Sequence, residues 1–222
     1  MRIKVTENGP YMVTGGIPIY ERIIAQKDHR NVLEKGRELP QGESYALCRC
    51  GGTKNAPFCD GTHLENGFDG TETASRKPYA DRLEDAIEGD TMWLLDDGRC
   101  AFARFCHSAR GDVWSLAYQD TDPENRADAI RMAAECPSGR LVAMDKDGNV
   151  LEDELAPAII ILQDPEKDAS AGIFVQGPIV IEAADGTEYE VRNRVALCRC
   201  GHSTNKPFCD AVHVSIGYHA QP

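Results

Sequence analysis

Cys48, Cys50, Cys59 and His63 stand in the spacing C-x-C-x8-C-x3-H, and the same spacing returns at Cys198, Cys200, Cys209 and His213. Thiolates and imidazoles are the usual protein donors to zinc and iron, so each quartet is a complete ligand set for a metal centre. In an extended segment residues i and i+2 face one side, so Cys48/Cys50 and Cys198/Cys200 can each aim two sulfurs at one metal atom. A helix opening near Cys59 would bring Cys59 and His63 onto one face to clasp a second metal atom, with Asp60 favoured in its first turn. Three cysteines and a histidine also satisfy one structural zinc, although zinc sites usually separate paired cysteines by two or more residues.

The two quartets belong to an internal repeat. The sixteen-residue windows opening at Cys48 and Cys198 share ten identities, among them Arg49/Arg199, Asn55/Asn205, Pro57/Pro207, Phe58/Phe208 and Asp60/Asp210. The repeat extends upstream, where Gly9-Pro10 is echoed by Gly177-Pro178, and downstream, where Gly67-Phe68 is matched by Gly217-Tyr218.

The elements that must hold these residues are short strands. Arg2 to Val5, Tyr11 to Val13, Ile17 to Ile24 and Tyr45 to Leu47 read as β-structure leading into the first quartet. Ile179 to Ile181, a turn at Asp185-Gly186, then Tyr189 to Val191 and Val195 to Leu197 read as a hairpin feeding the second. Thr71 to Asp81 and Gln163 to Ala171 read as linkers or surface loops. Between them, Asp122 can cap a helix that opens with Pro123, presents Ala127, Ile130 and Ala134 on one face and ends at Cys136-Pro137, before a strand at Arg140 to Met144.

The run CRCGGTKNAPFCDGTH resembles the CDGSH iron-sulfur signature, C-x-C-x2-[ST]-x3-P-x-C-D-G-[STA]-H, with Cys48, Cys50, Thr53, Pro57, Cys59, Asp60, Gly61, Thr62 and His63 in place. The resemblance is to the family that includes mitoNEET. It implies a [2Fe-2S] cluster with Cys48/Cys50 on one iron and Cys59/His63 on the other, and a second with Cys198/Cys200 and Cys209/His213. The second run, CRCGHSTNKPFCDAVH, keeps every ligand but has Ala211-Val212 in place of the Gly-[STA] pair. Loss of that glycine and hydroxyl is expected to remove a close backbone approach and a donor, and so to alter the second cluster's potential or lability.

Three further cysteines lie between the repeats. Cys100, Cys106 and the Cys136-Pro137 pair, within CAFARFC and AECPSGRL, resemble a divergent monocluster ferredoxin domain over residues 89–145, with Ala103 where a middle cysteine would stand. That resemblance implies a [3Fe-4S] cluster, or a [4Fe-4S] cluster with a fourth ligand other than cysteine. The alternative is that the three thiols are small buried apolar groups. His107 is a weaker fourth-ligand candidate, and His29, His202 and His219 have no partner pattern.

Arg49 and Arg199, between ligating cysteines, are expected on the opposite face and turned to solvent. The run from Arg82 to Glu88 has helical spacing and reads as a solvated helix face. Trp93 and Trp114 read as packing residues. Nine cysteines is an odd number, and a C-x-C pair is poorly placed to bridge itself, which disfavours a disulfide framework.

The formal charge of -12 in 222 residues disfavours nucleic acid and anionic membrane as partners and suits a basic docking patch. The sequence has neither a secretory apolar core near its first residues nor a stretch of about 20 apolar residues, so a cytoplasmic location is expected. It contains no nucleophile elbow, P-loop or dinucleotide fingerprint, so an enzyme is not expected.

The expected fold is α+β. Residues 1–75 and 163–222 would be small β-rich modules that pair, as the resemblance to tandem family members implies, in an intramolecular β-sandwich within a monomer, with a ferredoxin-like insert at 76–162. The expected function is one-electron transfer to a redox partner protein; cluster delivery to apo-proteins and redox or iron sensing are the alternatives. A single histidine ligand should place the potential between about -400 mV for all-cysteine plant-type centres and roughly -150 to +300 mV for two-histidine centres.

Overall fold

Ile3 and Val5 are buried while Lys4 between them is exposed, and Tyr11 and Val13 alternate in the same way with Met12 and Thr14. This period-two pattern makes strands with one inward face. The computed structural model describes residues 1–221. The first repeat supplies β1 (Arg2–Val5), β2 (Tyr11–Thr14), β3 (Ile19–Lys27), β4 (Arg30–Lys35) and β5 (Ser44–Leu47). Next come β6 (Asp85–Glu88), β7 (Met92–Asp96), the two-residue strands β8 (His107–Ser108) and β9 (Gly111–Asp112), α1 (Val113–Tyr118), α2 (Pro123–Ala134) and β10 (Leu141–Asp145). The chain continues with β11 (Ala158–Asp164), β12 (Ala169–Gln176), β13 (Val180–Glu182), β14 (Arg194–Leu197) and the single turn α3 (Val212–Ser215). Strands thus dominate, with few helices, in a mixed α+β chain.

The two larger sheets are each built from both ends of the sequence. A four-stranded sheet has the order β13-β1-β2-β5, with β1 and β13 parallel in the register Ile3↔Ile181. A five-stranded sheet has the order β14-β12-β11-β3-β4, with β3 and β11 parallel in the register Ile19↔Ile159. Ile3, Val5, Tyr11 and Val13 of the first sheet share one core with Ile159, Ile161, Ile173 and Val175 of the second. The third sheet, β10-β7-β6, packs Met92, Leu94 and Leu141 against α1 and α2 in a separate core.

Several sequence expectations change here. Residues 82–88 do not form a helix: a 3-10 turn, Tyr79–Arg82, leads into edge strand β6, whose one inward residue is Ile87. Pairing with β7 decided the outcome, since one apolar residue among exposed acidic ones fits a short edge strand. Asp122 caps α2 as expected, its side chain accepting the Glu124 N–H, but the buried face is Ala129, Met132 and Ala133, with Ala127 exposed. Residues 163–171 are not a linker: they span the end of β11, a surface turn at 165–168 and the start of β12, with Asp164, Ala169 and Ser170 buried in the strands. Residues 189–191 form no regular strand; a single bridge, Glu182↔Glu188, stands there. Among the described residues no helix is long and apolar enough to cross a membrane.

Candidate metal centres

Each C-x-C pair follows directly from a strand, β5 or β14, which sets both sulfurs on one side. The Cys48 and Cys50 sulfurs are 3.6 Å apart, as are those of Cys198 and Cys200. Across each site, Cys59 Sγ lies 3.4 Å from His63 Nδ1, and Cys209 Sγ lies 3.5 Å from His213 Nδ1. Two sulfurs each about 2.3 Å from one tetrahedral metal are separated by roughly 3.7 Å, and a sulfur and an imidazole nitrogen by roughly 3.5 Å. Each pair is therefore spaced as one edge of a metal tetrahedron. Among the described residues no three Cys, His, Asp or Glu side chains are grouped to hold one ion.

The loops carrying the ligands fold alike. Cys48 N–H donates to Pro57 O and Cys59 N–H to Ala46 O, as Cys198 and Cys209 do to Pro207 and Ala196. The hydroxyls of Thr53 and Ser203, both buried, donate to Phe58 O and Phe208 O at 2.7 Å and accept the N–H of Asn55 and Asn205. The helical turn begins at Thr62 or Val212 rather than at Cys59, because residues 61 and 211 are left-handed, with φ of 93° and 70°. Asp60 therefore precedes the turn, where its carboxylate accepts the N–H groups of Lys54 and Thr62; those bonds hold it well below the usual carboxylate range.

Gly61 is left-handed but uncrowded: a Cβ there would meet nothing within 4 Å. A methyl group at this position thus meets no other protein atom, and Ala211 keeps the left-handed turn. The hydroxyl absent at Val212 is offset at Thr204, whose own hydroxyl donates to Asp210 at 2.9 Å.

The sites differ in burial. All four residues of the second quartet are buried, whereas Cys50, Cys59 and His63 are half-buried. Burial, then the neighbouring Cys50 thiol, pushes Cys48 up to about 11. In the second repeat the sulfur–sulfur hydrogen bond lowers the Cys198 thiol and raises that of Cys200, which burial raises further. Burial, then the Arg199 guanidinium, lowers His213 to about 4, so the ring is the neutral form a metal binds.

The arginines between the cysteines are buried, 3% and 2% exposed, and not turned to solvent. Arg49 donates to Thr6 O and Gly70 O, Arg199 to Ala171 O and Leu162 O, and each lies over an aromatic ring, Phe68 or Tyr218. A guanidinium is favoured here because it satisfies several carbonyls at once. Their recurrence in both windows was the available sign. A residue that sequence reasoning missed is Tyr11, whose buried hydroxyl lies 2.8 Å from Cys198 O and 2.9 Å from Pro207 O in the other repeat.

Cys100, Cys106 and Cys136 line one narrow pocket with Trp114 and Arg140. The loop that carries the first two winds through left-handed conformations at Phe102 and Arg104, φ 60° and 61°. Such strain in non-glycine residues concentrates at functional sites. Phe102 N–H points to Cys100 Sγ at 3.3 Å, the kind of backbone donor that stabilises a thiolate. Burial, then the Cys136 and Cys100 thiols, pushes Cys106 up to about 12. His107 is exposed, with Nδ1 3.2 Å from Cys106 Sγ, and His29, His202 and His219 are exposed as expected.

The family model described as iron-binding zinc finger, CDGSH type, matches residues 8–64 and 172–214. A second, described as divergent 4Fe-4S mono-cluster, matches residues 88–146. No curated protein and no solved structure matches the chain. The matched stretches coincide with the two quartets and the three-cysteine pocket, and on that agreement the chain is an iron-sulfur protein with two CDGSH-type regions flanking a divergent 4Fe-4S mono-cluster domain.

Proposed function

We propose that the protein is a one-electron carrier rather than an enzyme, with two [2Fe-2S] clusters and a third cluster in the middle pocket. Cys48/Cys50 would hold one iron of the first cluster and Cys59/His63 the other; Cys198/Cys200 and Cys209/His213 would do the same in the second. Cys100, Cys106 and Cys136 would hold a [3Fe-4S] cluster, or a [4Fe-4S] cluster with a fourth ligand other than cysteine. The observation that carries the reading is the pairing: sulfurs 3.6 Å apart on one side of each site and a sulfur–nitrogen pair on the other suit two metal atoms better than one zinc.

A bound cluster supplies a one-electron change without making or breaking a bond to substrate. The residues hold geometry: Thr53, Ser203, Asp60 and Asp210 fix the loops, and Arg49 and Arg199 tie the C-x-C turns to neighbouring strands. The shared core between the larger sheets supports an intramolecular β-sandwich of the two repeats in a monomer with an internal pseudo-twofold, with a ferredoxin-like insert between. A redox partner with a basic docking patch suits the chain's charge of -12.

Iron and acid-labile sulfide per chain, with EPR before and after dithionite, test this. About seven irons with a signal already present in the oxidised protein fit two [2Fe-2S] and one [3Fe-4S] cluster. Zinc without sulfide would sink the proposal. The half-exposed ligands of the first site favour a second reading, delivery of a [2Fe-2S] cluster to an apo-protein. Cluster transfer to an apo-ferredoxin, set against reduction by a reductase, separates the two.

A further inference from the structure

The second-repeat quartet touches both other sites. On one side, Cys209 packs with Ala101, the residue after Cys100, in one buried apolar cluster, and Cys100, Cys209 and Asp210 line a common cleft. On the other, the C-x-C turns of the two repeats press together: a Cβ on Gly51 would come within 2.4 Å of Cys200 O, and one on Gly201 within 2.8 Å of Cys50 O. The middle loop meets the first repeat elsewhere, through Asn31 to Ala103 O and through Ile24 beside Ala103 and Phe105. Those contacts lie on β3 and β4 and involve no residue of the first quartet.

Exposure follows the same order. Cys198, Cys200 and Cys209 are 3% exposed and His213 is 2%, while Cys50, Cys59, His63 and all three middle cysteines are partly exposed. A partner protein can approach the outer two sites but is screened from the second.

We infer that the second-repeat site is the internal station of a three-site electron path, with the middle pocket at one end and the first-repeat site at the other. This rests on the reading of all three as cluster sites. A one-electron donor protein loses an electron at one exposed end, and an acceptor protein gains it at the other. No bond is made or broken. Ala101 against Cys209 and Gly51 against Cys200 are the contacts that keep both steps short, and tunnelling falls steeply with distance.

The test is pulsed EPR on the whole protein, reduced stepwise with dithionite after its iron and sulfide content has been measured. The second-repeat signal should show magnetic coupling to both neighbours, and the first-repeat and middle signals coupling to it but not to each other. Cys209→Ser should abolish the coupling of both remaining signals and the freeze-quenched passage of an electron between them. Should that variant fail to fold, Cys48→Ser provides the second arm, in which the middle and second signals should stay coupled. First and middle signals coupled directly, or a second signal coupled to neither, would overturn the order while leaving the cluster reading intact. A chain without iron and sulfide would remove the cluster reading and the order together.

Discussion

Gly51 of the first repeat lies directly against the backbone carbonyl of Cys200 in the second, where a methyl group would stand 2.4 Å from the oxygen. Gly201 makes the converse contact with Cys50 O, and both glycines have positive φ, 74° and 85°. The cysteine turns of the two quartets are thus each other's packing surface.

Glycines at two positions of the same loop should therefore respond differently to a methyl group. Gly51→Ala must displace backbone and should cost about 2–4 kcal/mol, with iron lost from both repeats. Gly61→Ala enters open space and should cost about 1 kcal/mol, as the left-handed Ala211 already illustrates. Thermal unfolding and iron content of the two variants check this, and equal effects would contradict it.

Tyr11→Phe removes the hydroxyl that faces Cys198 O and Pro207 O from the opposite repeat. Cys198 O loses its donor while Pro207 O keeps the Cys198 N–H, at a cost of about 1–3 kcal/mol. The loss should fall on the second quartet, read as faster release of its iron while the first site, in the same repeat as the substitution, keeps its own.

Arg199→Lys should not rescue what Arg199→Ala breaks. The guanidinium reaches Ala171 O through Nε and Leu162 O through a terminal nitrogen, and a single ammonium cannot meet both. Both variants should lose on the order of 3 kcal/mol in denaturant unfolding; a lysine variant as stable as the parent would show that the fork is unnecessary.

Asp96 gives the middle domain an acid-sensitive tie. Burial alone would raise its carboxyl, but bonds from Arg140, Gly98 N–H and Trp114 outweigh burial and leave it below its ordinary value. A lowered folded-state value means the contribution is complete above the unfolded carboxylate value, about 3.9, and fades as pH falls through the folded one. Asp96→Asn should thus cost on the order of 2 kcal/mol at pH 7 and progressively less as pH falls below about 3.9. Trp114 fluorescence during unfolding across that range measures this; a penalty that stayed constant would refute the assignment.

A chelator should strip iron in order of ligand exposure. Cys50, Cys59 and His63 and the middle cysteines are partly exposed, and the second quartet is buried. Iron at the second repeat should therefore be released last, as followed by the decay of visible absorbance against EPR of each site.

The pairing of the quartet side chains was legible because its geometry is local: i and i+2 after a strand, and a repeat that presents the spacing twice. Asp122 and Pro123 announced α2 for the same reason. What could not be read was long-range. The pairing of Ile3 with Ile181 joins segments from opposite ends of the chain, and no periodicity marks it. Arg49 and Arg199 looked solvated because the carbonyls that receive them, at Gly70 and Leu162, come from segments with no motif. The β6 strand was hidden because its only inward residue, Ile87, sits in an acidic run that also fits a helix.

The parallel pairing of β1 with β13 and of β3 with β11 also governs how the molecule can be made. During synthesis Cys48 to His63 emerge early, yet β1 and β3 wait for neighbours that lie beyond residue 157. The first repeat therefore reaches its finished form only when nearly the whole chain has been translated, and such non-local closure is slow. Loading of iron and sulfide is accordingly a late step, and cutting between the repeats would yield two fragments with open sheet edges rather than two smaller carriers.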